Sequence, residues 1–182
     1  MCRYSCILRV LYAATMSRTQ VVIAPHDELV DSVLSASRAL VAVAARSLAQ
    51  VSDDVTLAQY RALVEVASRG PLRLAELAQA LRVDRSTATR MCDRLIRRGL
   101  VSRRRLTDDR RAVRISLTPA GRELVAEVSR RRRAELEQIL ARMPVADQAM
   151  VVAALRAFAQ AAGEVPEQSW TLGWNLETDP EQ

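Results

Sequence analysis

A mainly α-helical fold with one small β-hairpin is predicted by three features of this sequence. Apolar residues recur at helical spacing along six segments. Between the fourth and fifth segments the pattern switches to alternation, with Val113, Ile115 and Leu117 pointing one way and Arg114 and Ser116 the other. Of 182 residues 49% are apolar, but only six are aromatic, so Ala, Leu and Val must fill the core. Small aliphatic side chains suit closely approaching helices better than a large aromatic-lined pocket.

The first helix is expected from Asp27 to about Gln50, with Leu29, Val33, Ala36, Leu40, Val43 and Leu48 near helical spacing. Pro25 precedes it, and Asp27 and Glu28 suit the positive end of its dipole. Val51 to Asp54 connects to a second helix, from Thr56 or Leu57 to Ser68, whose apolar face is Leu57, Tyr60, Leu63, Val64 and Ala67. Gly70-Pro71 stops that helix. A short helix over 73–81 follows, apolar at Leu74, Leu77, Ala78 and Leu81, and the break Arg82-Val83-Asp84 leads into the next. Asp84 is the N-cap there, Thr87 offers an oxygen at N3, and Gly99, after Arg98, is the natural C′ residue. Two helices joined by so tight a turn make a helix-turn-helix, in which the second helix enters the major groove.

Leu100–Arg104 and Ala112–Leu117 read as strands, and the polar loop between them, roughly Arg105 to Arg111, is a wing. Thr118 then caps a long helix with Pro119 at N1, reaching about Arg142. Pro144 breaks it, and a last helix runs from Val145 to Ala162 and ends at Gly163.

The charge is concentrated on this middle section. Arg82 to Arg114 holds twelve Arg against four Asp, a net of +8 in a chain whose total is +6. Such a density on a helix followed by a hairpin is the electrostatic footprint of a phosphate-backbone binder. All 27 basic residues are Arg, whose planar fork holds phosphates and guanine edges bidentately.

Other function classes find little support. Three cysteines, Cys2, Cys6 and Cys92, are too few and too irregular for a disulfide framework. No run approaches the ~18 apolar residues of a membrane span, and the compartment expected is the cytoplasm. Residues 1–24 read as a disordered leader in which Met16 is a candidate start. His26 is the only histidine and stands in no metal-ligand spacing, so neither a metal nor another cofactor is expected. No nucleophile–base pair is spaced for catalysis, and the chain is not read as an enzyme. Cys92 lies on the apolar stripe of its helix and behaves as a small hydrophobe rather than a redox sensor.

The order of elements resembles the MarR family of bacterial transcription regulators over about Asp27 to Ala162. The resemblance is carried by Ser86-Thr87-Ala88-Thr89-Arg90 through Leu95, by Arg98-Gly99-Leu100-Val101, by Asp109-Arg110-Arg111 and by Leu117-Thr118-Pro119-Ala120-Gly121. It implies a MarR-like domain over 25–162, with a winged helix-turn-helix lobe over 56–118, dimerisation helices over 25–50 and 119–162, and a C-terminal tail over 163–182. It implies a homodimer whose two winged lobes grip one duplex. It also implies that Arg111 reaches into the minor groove and that Asp109 fixes the wing loop. The run Arg103-Arg104-Arg105 departs from the family, whose wings often carry a Pro or an acidic residue there.

Helical geometry divides the recognition helix. Ala88, Met91, Cys92, Leu95 and Ile96 face inward, leaving Ser86, Thr87, Arg90 and Arg94 to face bases or phosphates. Arg90 is the candidate for direct base readout. Arg85, Arg97 and Arg98 either hold phosphate or solvate the helix. The expected DNA-binding set is therefore Arg85, Ser86, Thr87, Arg90 and Arg94 on the helix, with Arg103, Arg104, Arg105, Asp109, Arg110 and Arg111 on the wing. A second basic run, Arg130 to Arg133, is expected to pair with Glu127, Glu135 and Glu137 along its helix, the alternative being that it lines the cleft between lobes and holds an acidic ligand. Trp170 and Trp174 would cover a partner subunit or plug a cleft, unless the tail is disordered.

The expected function is a sequence-specific regulator of transcription that binds double-stranded DNA, a homodimeric repressor relieved by a small-molecule ligand. The rival is an architectural DNA-binding protein with little sequence preference, favoured by the excess of wing arginines.

Overall fold

A computed structural model describes residues 26–105 and 113–170, and the chain divides into two compact units, residues 1–38 and 39–182. In the first unit the described residues are the N-terminal part of α1 (His26–Ala49), on which Leu29, Val30 and Leu34 are exposed. All the elements below belong to the second unit.

The last turns of α1 bury Val43, Ser47 and Leu48. The next helix, α2 (Leu57–Arg69), opens on a capping box: the Gln59 N–H donates to Thr56 Oγ1 (3.3 Å) and the Thr56 N–H donates to Gln59 Oε1 (3.1 Å). This helix is buried almost throughout, and Leu63 and Ala67 are fully enclosed. Leu57, expected on the apolar face, is 39% exposed, because the first residue of the helix lies at the edge of the core.

A two-residue strand, β1 (Leu72–Arg73), follows Gly70-Pro71 and precedes α3 (Leu74–Leu81). It had no counterpart in the sequence reading, which placed Arg73 in the helix. Arg82 then turns the chain in the left-handed region (φ 53°), and α4 (Arg85–Arg97) begins behind Asp84. The wing strands are β2 (Val101–Arg105) and β3 (Val113–Leu117). They complete an antiparallel sheet in the order β1-β3-β2, with Leu72 opposite Ile115 and Val101 opposite Leu117. Ile115 and Leu117 are buried, whereas Val113 of the same face is exposed where the hairpin extends beyond the core.

Thr118 caps α5 (Pro119–Leu140), its hydroxyl oxygen accepting from the Gly121 N–H at 3.0 Å. Gly121 is required by close approach, since a Cβ there would lie 2.0 Å from the Leu100 carbonyl oxygen. Val125 and Val128 carry α5 into the core beside Leu63, Leu77, Cys92 and Leu95. The last helix, α6 (Val145–Ala162), buries no residue and exposes Val145, Met150, Val152, Leu155 and Phe158. Beyond it a short 3-10 turn (Glu167–Ser169) brings Trp170 against the winged-lobe core, its indole N–H donating to the Val165 carbonyl at 3.1 Å. Trp170 thus packs on its own chain; Trp174 lies outside the described residues.

Candidate nucleic-acid interface

The inward stripe of α4 is what holds its other face outward. Ala88, Cys92 and Leu95 are buried, and Met91 and Ile96 are half-buried against the core. A helix anchored on that stripe must present Arg85, Ser86, Arg90, Arg94 and Arg97 to solvent, and all five are exposed. Burial also pushes the Cys92 thiol up from its ordinary value, so it has little thiolate character.

The start of α4 is fixed by one carboxylate. Asp84 accepts from the Thr87 N–H (2.8 Å) and the Thr87 hydroxyl (2.7 Å), and the Ser86 hydroxyl also donates to it. These bonds, that from Ser86 first and those from Thr87 next, hold the Asp84 carboxyl well below the usual carboxylate range. Ser86 and Thr87 therefore spend their hydroxyl protons on the cap and offer lone pairs outward. One of those accepts from Arg90 Nη2 at 3.2 Å, which sets the direction of the Arg90 guanidinium.

Among the described residues, Arg85, Arg90, Arg94 and Arg97 have no ion pair with a carboxylate. Arg103 of β2 differs, closing on Asp93 of α4 at 2.6 Å. Arg104 and Arg105 sit on β2 opposite Arg114 and Val113. Asp109, Arg110 and Arg111 lie outside the described residues.

Two hollows flank α4 where it meets the first turn of α2. One, of about 290 Å³, runs along Thr87, Arg90, Met91 and Arg94 toward Thr56 and Gln59. The other, of about 380 Å³, is walled by Asp54, Thr56 and Gln59 on one side and by Arg94, Arg97 and Arg98 on the other. Sequence reasoning missed the α2 side of both. The only signal was the capping-box spacing of Thr56 and Gln59.

Comparison with known proteins bears on this geometry. The model of the MarR family matches residues 55–113, the stretch from the approach to α2 to the start of β3. The HTH-type transcriptional repressor MdtR of Bacillus subtilis is 31% identical over 119 residues, covering 65% of this chain and 77% of that repressor. The chain belongs to the MarR family. The multiple antibiotic resistance protein MarR of Salmonella typhimurium is 33% identical over 95 residues, 52% of this chain and 66% of that protein. The match thus spans just under two thirds of that MarR-family relative. Among solved structures, RV1404 from Mycobacterium tuberculosis superposes with a TM-score of 0.73 at 40% identity, covering 78% of this chain and 96% of the other. FabT of Streptococcus pneumoniae, solved in complex with DNA, shares the fold with a TM-score of 0.62 at 22% identity, over 75% of this chain and 96% of FabT. Of these relatives MdtR is a transcriptional repressor, and among the described residues of this chain no helix is long and apolar enough to cross a membrane.

Proposed function

We propose that this MarR-family chain binds double-stranded DNA sequence-specifically as a homodimer, and represses transcription until a small ligand relieves it. The observation that carries this reading is the outward face of α4, where four arginines without carboxylate partners among the described residues stand on a helix anchored by its opposite stripe. That arrangement is what a helix needs to lie in a major groove with its side chains on base edges and phosphates. Arg85, Ser86, Thr87, Arg90 and Arg94 would meet DNA from the helix, and Arg103, Arg104, Arg105, Asp109, Arg110 and Arg111 from the wing.

The dimer is supported by α6, a helix with no buried residue and five large exposed apolar side chains. A solvated helix of that composition needs an apolar cover, and a second copy of the chain supplies one with two-fold symmetry. Two winged lobes so related would read half-sites about one helical turn apart. Relief by a ligand rests on family membership. It requires the ligand to prefer a dimer whose recognition helices no longer match the groove spacing.

The architectural reading loses support from the Asp93–Arg103 pair, which holds one of the three consecutive wing arginines against α4 in the free protein and weakens its pull on phosphates at large. Sedimentation combined with hydroxyl-radical footprinting on the DNA upstream of the gene tests the proposal. Two protected half-sites related by a dyad, at one dimer per site, are expected. Protection spread evenly along the fragment would favour the architectural protein.

A further inference from the structure

The larger hollow beside α4 has the make-up of a phosphate seat. Three guanidinium groups, those of Arg94, Arg97 and Arg98, share its wall with a single carboxylate, Asp54. Arg94 and Arg97 have no ion-pair partner among the described residues, so three cations face one carboxylate and the wall of the hollow carries a net positive charge. Gln59 forms part of the same wall and is 5% exposed. Its Oε1 is used twice, accepting from the Thr56 N–H at 3.1 Å and from Arg98 Nη1 at 3.2 Å. Its amide NH2 group has no hydrogen-bond acceptor among the described residues. An amide that holds an arginine with its oxygen, and whose nitrogen makes no bond to the described residues, can donate to an anion seated in the hollow.

The position of the hollow decides which anion. It opens along the flank of α4, continuous with the groove past Arg90 through the shared residues Thr56, Gln59 and Arg94. A helix lying in a major groove has one sugar-phosphate strand passing on each flank. We propose that this hollow seats one backbone phosphate of the bound duplex, with Arg94, Arg97 and Arg98 as donors. Gln59 is the positioning residue that holds Arg98 in place and adds an amide donor of its own. The inference rests on the DNA-binding reading above and adds to it a contact made from α2, outside the helix-turn-helix and the wing.

The test is the salt dependence of binding to upstream and random duplexes for the wild type, Arg97→Ala and Gln59→Glu. Glu keeps the capping box and an acceptor for Arg98, but replaces the amide donors with a negative charge, so the lobe stays folded with an unchanged Tm. Each variant is expected to lose about fivefold in affinity at physiological salt for both duplexes, the effect of one phosphate contact. Each should also make the slope of log K against log salt shallower by about 1. Titration of inorganic phosphate into the DNA-free protein separates the sources. If Arg97→Ala abolishes phosphate binding but leaves the DNA slope unchanged, the hollow takes a free anion and the DNA assignment is overturned. Unchanged DNA slopes with no phosphate binding overturn the seat altogether. If the wild type binds neither duplex, the DNA-binding reading itself fails.

Discussion

Asp93 of α4 and Arg103 of β2 form an ion pair at 2.6 Å that joins the recognition helix to the wing. Both side chains are well exposed, so the pair adds at most about 1 kcal/mol to stability. Its larger effect is electrostatic, since in the free protein it offsets a cation on the surface proposed to meet DNA. Asp93→Ala should therefore raise affinity for random duplex about fivefold, the effect of one added phosphate contact, and narrow the gap to the specific site. Competition binding at physiological salt measures both. An unchanged ratio would show that Arg103 does not reach DNA when released.

Arg90 is aimed by the Thr87 hydroxyl, which is itself aimed by Asp84. Arg90→Ala is expected to cost about 1–3 kcal/mol of discrimination at one base position, and to relax preference there while leaving other positions intact. Selection from a randomised half-site reads this directly. A uniform loss at every position would make Arg90 a phosphate contact.

Cap bonding gives Asp84 a folded pKa below its unfolded value. The sign follows from linkage: its stabilisation is fully present above the unfolded value of about 3.9 and disappears as pH falls through the folded one. The Tm difference between wild type and Asp84→Ala should thus stay constant from pH 8 to 5 and shrink only in strong acid. A difference that already shrinks between pH 7 and 5 would contradict the cap.

Glu65 is 2% exposed and lies between Arg61 and Arg69, each at 2.7 Å. Those arginines also reach the end of α6, Arg61 to the Glu164 carboxylate and Arg69 to the Gly163 carbonyl at 3.1 Å. Removing a buried carboxylate strands its partners, but the arginines are partly solvated and can turn to water. Glu65→Ala should lower stability by about 2 kcal/mol, below the range for a fully buried pair. Urea denaturation measures it, and a loss under about 0.5 kcal/mol, the level of an ordinary surface substitution, would show that the network carries little.

Gly121 admits no side chain, because a Cβ would meet the Leu100 carbonyl oxygen at 2.0 Å. Backbone must move to admit one, so Gly121→Ala is expected to destabilise by roughly 1–3 kcal/mol despite the higher helix propensity of Ala. Thermal melting checks the sign.

Most of the helices were legible because their signals are local. Asp84, Thr118 with Pro119, Gly99 and Gly163 mark ends that cap chemistry fixes, and the 3.6-residue stripe of α4 named its buried face. The strand Leu72–Arg73 was not legible, since two residues carry no periodicity and pair only with the distant β3. The Arg130 to Arg133 run shows the same limit. Arg130 and Arg131 do pair with Glu127, whereas Glu135 turns to Arg46 of α1 and Arg133 reaches toward Glu167. Gln59 and Asp93 escaped notice for this reason also: their partners, Arg98 and Arg103, come from other elements, and helical spacing does not foretell contacts between elements.

The central claim is that the exposed arginines of α4 read a DNA sequence. Binding of the purified protein to duplex from its own upstream region and to a random duplex, both at physiological salt, tests it most directly. A preference of ~10³ or more for the upstream duplex is predicted. Equal affinity for the two, or binding to neither, would contradict it.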